Sequence, residues 1–183
     1  LHRVIVTSAA YRMSSSKLGA EERLAKDPEN KYYWRRVSIA LESQAVRDSL
    51  LSLAGTLDLK MGGPPILPPQ QEASKRRSLY FFHSNNSRNL FLTMFDEAVV
   101  TDCYRREQSI VPQQALALTN SRLVLEASAQ IAQRLSRGAG ADDEFISRAF
   151  IVLLGIEPNA DERAACAEAL SAWRALPEAT EQT

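Results

Sequence analysis

Apolar residues recur at helical spacing in several segments of the chain, and stretches rich in proline, glycine and serine separate them. A helix turns once in 3.6 residues, so apolar residues that recur every three or four positions predict one buried face. The polar residues 13–33 and the proline-rich residues 58–75 are expected to be loops. On this pattern we expect helices at residues 1–12, 36–54, 112–136, 142–154 and 160–175.

Local signals predict where some of these helices begin and end. Pro112 suits the first turn of a helix, where its missing N–H costs nothing, and Gly55 suits a helix C-terminus. Asn159 and Glu162 have the spacing of a capping box. Residues 78–82 are the best strand candidate. We therefore predict a mostly α-helical, irregular domain with long loops and at most one short pair of β-strands.

The apolar stripes of two helices predict which residues lie in the core. The last helix is expected to bury Cys166, Ala169, Leu170 and Trp173. Cys166 is accordingly predicted to be a buried, inert thiol that forms no disulfide with Cys103. The helix at 36–54 is expected to place Arg47 away from its buried face. Its stripe consists of Ile39, Val46, Leu50 and Leu53.

The length of 183 residues suits a single helical domain, residues 1–183, in which residues 138–183 are a candidate C-terminal helical hairpin. An amphipathic stretch begins at Leu1, which favours a fragment of a longer chain. Lys+Arg and Asp+Glu both number 22. This balance argues against a partner such as nucleic acid or an anionic membrane. No apolar run approaches the ~20 residues of a membrane span.

One polar segment is the best candidate for a functional site. A cysteine close to paired arginines can have a lowered pKa, and arginine pairs also bind carboxylate, sulfate or phosphate groups. The alternative, which we favour, is that the arginines hold an irregular segment in place through backbone carbonyls and acids such as Glu42 or Asp48. The candidate residues are Asp96, Asp102, Cys103, Arg105, Arg106, Ser109 and Gln114.

Signatures of cofactors and catalysis are missing from the sequence. His2 and His83 have no metal-ligand partner at helical spacing, so we expect no metal site. The chain contains no nucleophile elbow, no phosphate-binding loop and no haem-attachment motif. Residues 75–77 (Lys-Arg-Arg) lie beside the aromatic residues 80–82, a pattern found at glycan sites, although a solvated edge is the favoured reading. We expect no cofactor in this chain and lean away from an enzyme.

The ordered set of motifs resembles a planctomycete-specific C-terminal domain of unknown function. Its most specific stretch runs from Arg105-Arg106 through Ser109 and Val111-Pro112 to Asn120. The other matching segments are Leu1–Ser8, Asp27–Asn30, Trp34-Arg35, Arg47-Asp48, Met61–Pro64 and Leu154-Gly155. The resemblance implies a domain of large exported proteins that also carry cytochrome c-like domains. Haem c would then lie elsewhere in the parent protein, and the location would be extracytoplasmic, periplasmic or at the cell surface.

Three functions follow from these observations. The leading hypothesis is a non-catalytic accessory or scaffolding module whose partners are upstream domains of the same polypeptide. The second is part of an enzyme that acts on an extracellular polysaccharide. The third is a module that binds an anionic glycan through its arginines. The family has no established catalytic residues, so the resemblance implies none here.

Overall fold

The computed structural model describes residues 1–99, 101 and 112–176. In this part of the chain the fold is mostly α-helical with almost no strand, which confirms the predicted fold class. Contacts divide the chain into two units, Leu1–Leu41 and Glu42–Thr183. A short 3-10 helix spans Ser78–Tyr80. The α-helices are α1 His2–Thr7, α2 Glu21–Lys26, α3 Ser43–Ala54, α4 Pro68–Gln71, α5 Leu90–Met94, α6 Pro112–Asn120, α7 Arg122–Ser136, α8 Asp142–Leu154 and α9 Ala160–Arg174.

The first unit is less helical than its sequence predicted. Helix α1 ends at Thr7 rather than at residue 12. The hydroxyl groups of Thr7 and Ser8 bond back to the carbonyls of Arg3 and Ile5, at 2.7 Å each. Such bonds compete with continued helix formation. The expected loop at 13–33 also contains α2, which begins with two acids at its positive end.

A turn around Asp27 organises the end of this unit. The two oxygens of the Asp27 carboxylate accept hydrogen bonds from the backbone N–H groups of Lys31 and Tyr32, at 2.9 Å each. The indole N–H of Trp34 donates to the Asp27 carbonyl at 2.9 Å. Burial acts to raise the pKa of Asp27, but the hydrogen bonds from Tyr32 and Lys31 outweigh it and lower that pKa. The carboxylate is therefore held ionised at the centre of the turn.

Helix α3 begins later than predicted and buries a different face. It starts at Ser43, not at residue 36, and in residues 37–41 the apolar positions alternate as they do in an extended chain. Arg47 lies on the buried face, which contradicts the prediction that it points away from the core. The buried residues are Ser43, Arg47, Leu51 and Ala54. The face is rotated because α3 packs against α5 and the 3-10 helix as well as against α7.

The apolar core of the second unit lies between α3 and α7. Ala54, Ala127 and Ile131 are buried together there, and Leu50, Leu53 and Leu135 pack against them. Gly55 ends α3 with φ +77°, as predicted. Ser121 separates α6 from α7 by adopting an extended conformation, so the helix expected at 112–136 consists of two helices.

Helix α8 has the predicted bounds and α9 ends at Arg174, one residue before its predicted end, but α9 is more exposed than predicted. Helix α8 packs against α7 and α9. Asn159 and Glu162 form the predicted capping box at the start of α9. The expectation of a buried stripe on α9 is wrong. Cys166 is a free, half-buried thiol and Trp173 is 66% exposed, because among the other helices only α8 packs extensively on α9.

The prediction of a strand at residues 78–82 is also wrong. The segment forms the 3-10 helix Ser78–Tyr80, which single β-bridges flank at Asp58–Arg76 and Ile66–Phe81. The side chain of Asp48 favours this turn, because it accepts hydrogen bonds from both the N–H and the hydroxyl of Ser78. The expected loop at 58–75 likewise contains a helical turn, α4, which starts with two prolines.

Candidate functional site

Two residues of the predicted polar segment lie in the described part of the structure, and they are in contact. The side-chain amide of Gln114, in the first turn of α6, donates to Oδ2 of Asp96 at 3.3 Å. Asp96 has φ +58°, a backbone conformation that non-glycine residues seldom adopt. The predictions for the other five residues fall outside the described residues. These are Asp102, Cys103, Arg105, Arg106 and Ser109.

The buried guanidinium group of Arg47 organises the region next to the predicted site. The sequence pattern had predicted that this residue points away from the buried face of α3. The side chain of Arg47 donates to the carbonyls of Ser74 and Arg76, the latter at 3.0 Å, and to Oγ of Ser78 at 3.2 Å. It also lies over the ring of Phe81 at 4.5 Å. Burial lowers the pKa of Arg47, although Asp48 acts to raise it. An arginine nevertheless keeps its charge in a protein, so Arg47 is a fixed cation that holds the loop before the 3-10 helix.

The adjacent residue, Asp48, completes this arrangement. Its carboxylate accepts the N–H of Ser78 at 2.9 Å and the hydroxyl of Ser78 at 2.7 Å. It also lies 3.4 Å from Nη1 of Arg47 and 3.9 Å from Nε of Arg77. These contacts occupy both carboxylate oxygens, so Asp48 has a structural role in positioning the 3-10 helix.

The basic run at residues 75–77 is also more than a solvated edge. The guanidinium of Arg76 donates to the carbonyls of Lys60 and Gly62, at 3.1 and 2.6 Å. It stacks on the ring of Tyr80 at 4.0 Å. The hydroxyl of Tyr80 in turn accepts the N–H of Gly62 at 2.9 Å. Arg76 therefore fixes the glycine- and proline-rich loop against the 3-10 helix, which is a structural role.

A second buried charge lies at Glu97, directly after the predicted site residue Asp96. The Glu97 side chain is 3% exposed, and its Oε1 lies 3.1 Å from Nδ1 of His83. Its Oε2 lies 3.8 Å from Nε of Arg88 and has no hydrogen-bond partner among the described residues. Burial raises the pKa of Glu97 above its usual value, while the charges of His83 and Arg88 and hydrogen bonds from the side chains of His83 and Thr93 pull that pKa down.

The geometry of His83 requires a proton between its ring and Glu97. Nε2 of His83 lies 3.0 Å from the carbonyl oxygen of Ala98, which can only accept, so Nε2 carries a hydrogen. In the neutral ring Nδ1 would then be an acceptor, and it would face another acceptor, the oxygen of Glu97. One further proton must lie between them, and the raised pKa of Glu97 favours its position on the carboxyl group. The pair is therefore neutral overall.

His83 and Glu97 line a cavity of about 680 Å³ between α3, the 3-10 helix and the segment after α5. Asp48, Arg77 and Ser78 also line it, as do the apolar residues Leu57, Leu79 and Phe81. This pairing could not be predicted from the sequence, because His83 and Glu97 are 14 positions apart and not at helical spacing. No periodic signal could have identified it.

In the part of the chain that the structure describes, no group of three or more His, Cys, Asp or Glu side chains could hold a metal ion. His83 uses both ring nitrogens for protein contacts. Within residues 1–99, 101 and 112–176, no helix combines the length and apolar content needed to cross a bilayer.

Comparison with known protein families gave a match over most of the chain. A family model described as "PSD1: Protein of unknown function (DUF1553)" matches residues 1–170. No curated protein and no solved structure matches the chain. The match covers both units and the cavity, and its description assigns no activity to either.

Proposed function

Because the chain belongs to the PSD1 family of proteins of unknown function, we propose from its surface that it is a non-catalytic accessory module. In this proposal the module packs against other domains of a large exported protein. The observation that carries the proposal is the apolar end of α8, where consecutive large hydrophobic side chains are exposed. They are Ile151, Val152, Leu153 and Leu154, and Ile156 follows them.

The position of these residues on the helix supports a packing role. Successive residues point about 100° apart around a helix, so four in a row present apolar groups in every direction. A helix that is apolar all round is normally buried. Ile151 to Leu154 are between 43% and 62% exposed, which places a large apolar surface in contact with water. Such surfaces mark interaction sites.

The resemblance to the planctomycete-specific domain supports the finer parts of the proposal. It suggests an extracytoplasmic protein that also contains a cytochrome c-like domain, and the partner would be a domain of the same polypeptide. The chain has no haem-attachment motif, so it would contribute no haem ligand through such a motif. Its role would be to hold neighbouring domains in place.

The test compares hydrogen exchange of the peptide at residues 142–156 in the parent polypeptide and in the 183-residue chain. If a neighbouring domain covers the end of α8, this peptide exchanges more slowly in the parent. The double substitution Val152→Asp and Leu154→Asp should remove that difference, because it introduces two charges into the interface. In the 183-residue chain the same substitutions should barely change the melting temperature, since both side chains are largely exposed.

A matched control is Leu59→Asp with Leu67→Asp, two exposed apolar positions in the loop region of the same unit. This variant should keep the slow exchange of residues 142–156 in the parent. Equal exchange rates in the parent and in the 183-residue chain would contradict the proposal.

A further inference from the structure

The extended residues 37–41, which end the first unit, have a main chain without a partner. No turn or bend interrupts residues 36–42, and the side chains of residues 37–41 are exposed. No described residue donates a hydrogen bond to the main chain of residues 37–41 or accepts one from it. Such a row of unpaired N–H and C=O groups is the feature through which an exposed edge strand pairs with another strand. The partner that fits this segment is therefore a β-strand.

The side chains of the segment specify how a second copy of it would pair. The apolar residues are Val37, Ile39 and Leu41, each more than half exposed, and a small or polar residue separates them. In an extended chain these alternate residues share one face. An antiparallel copy with Ile39 opposite Ile39 places every apolar residue opposite another apolar residue. A shift by one position would place Ile39 opposite Ser38 and lose all of these pairs.

The charges at the two ends favour the same arrangement. Arg36 precedes the apolar residues and Glu42 follows them. With Ile39 opposite Ile39, Arg36 of one copy lies opposite Glu42 of the other at both ends of the pair, whereas a parallel pair in register would place like charges side by side. The guanidinium of Arg36 donates to the carbonyl of Tyr11 at 3.0 Å and has further N–H groups. The apolar pairs select this register without the charges.

The main chain shows which edge of the segment is open. The N–H of Arg36 donates to the carbonyl oxygen of Ser14 at 3.0 Å. Successive N–H groups point to opposite edges of a strand, so those of Val37, Ile39 and Leu41 face the edge away from Ser14. On that edge, the Ile39 residues of two copies would exchange both of their main-chain hydrogen bonds. Because Ser14 lies at the other edge, pairing ends at two copies and does not continue into a fibre.

We propose that residues 37–41 pair with the same residues of a second copy of this chain, as two antiparallel strands about a twofold axis at Ile39. Two short strands by themselves are marginally stable, so the dimer is reversible and is populated at high protein concentration. This contact is separate from the end of α8 that the accessory role uses, and the two proposals can fail independently.

The first experiment is oxidative cross-linking of Ile39→Cys in a chain whose own cysteines are replaced by Cys103→Ser and Cys166→Ser. Cα atoms of opposite residues that exchange hydrogen bonds are about 5.5 Å apart, within the range of a disulfide. The two introduced thiols should therefore form an interchain disulfide. Val37→Cys is the matched control, because its two thiols would lie four positions apart along the strands, about 13 Å, and should not cross-link. A mixture of Val37→Cys and Leu41→Cys should cross-link again.

The second experiment measures the dimer by analytical ultracentrifugation over a range of protein concentrations. Ile39→Pro should raise the dissociation constant at least about tenfold, because each copy loses its central N–H donor. Ser38→Pro removes an N–H that points to the other edge, so this variant should dimerise like the unsubstituted chain. Equal cross-linking of Ile39→Cys and Val37→Cys would overturn the proposal, since it would indicate random collision. A chain that stays monomeric at every concentration would also overturn it, and would favour a strand of another domain as the partner.

Discussion

Replacement of Arg47 by alanine should test whether this single side chain holds the loop before the 3-10 helix. Arg47 is 2% exposed and contacts two backbone carbonyls, one hydroxyl group and one aromatic ring. Alanine at this position removes every one of these contacts. The carbonyls of Ser74 and Arg76 then lose their guanidinium donor, and Asp48 loses a neighbouring cation.

The expected loss of stability follows from those contacts. A buried polar group left without its partner costs about 1–3 kcal/mol, and two carbonyls are affected. Breaking a buried charge pair by removing one partner costs about 3–5 kcal/mol in total. We therefore expect Arg47→Ala to lower the free energy of unfolding by about 3–5 kcal/mol. A domain stable by about 5–15 kcal/mol would lose a large part of its stability.

Urea unfolding of both proteins, followed by circular dichroism, measures this difference. Arg77→Ala is the matched control, because Arg77 also lies near Asp48 but is 42% exposed and 3.9 Å away. Exposed ion pairs contribute about 0–1 kcal/mol, so the free energy of unfolding of this variant should be close to that of the unsubstituted chain. Arg47→Lys should fall between the two, since it keeps the charge without the planar fork of donors. A loss below about 1 kcal/mol for Arg47→Ala would refute the reasoning.

Three further predictions concern other sites. Asn159→Ala should lower the free energy of unfolding, measured by urea unfolding, by about 1 kcal/mol, because it removes the cap of α9. The difference in free energy of unfolding between the unsubstituted chain and Glu97→Gln should fall as pH rises from 4.5, the usual pKa of a glutamate. The raised pKa means that the folded state holds a proton there which the unfolded state releases, and a flat difference in pH-dependent urea melts would contradict this. Gly55→Ala should destabilise more than Gly19→Ala in the same melts, although both glycines have positive φ. A Cβ atom at Gly55 would lie 2.7 Å from Nη1 of Arg134 and would displace that group from the carbonyls of Ser52 and Leu53, whereas a Cβ atom at Gly19 would meet nothing within 4 Å.

The sequence predicted the features that depend on neighbouring residues. The bounds of α8 and α9, the glycine end of α3 and the capping box of α9 all follow from signals within a few positions. It could not predict that Arg47 faces inward. A single apolar stripe indicates the buried face of a helix that packs against one element, whereas α3 contacts three elements. The pairing of His83 with Glu97 depends on how the loops fold back, which no local spacing records.

Long polar side chains, together with isolated β-bridges, satisfy loop backbone groups of the second unit. Buried backbone groups need partners, and here Arg47 donates to the carbonyls of Ser74 and Arg76, while Gln71 donates to those of Ile66 and Phe82. These bonds position the 3-10 helix and Phe81, which are walls of the cavity. The same contacts that stabilise the loops therefore set the shape of the cavity.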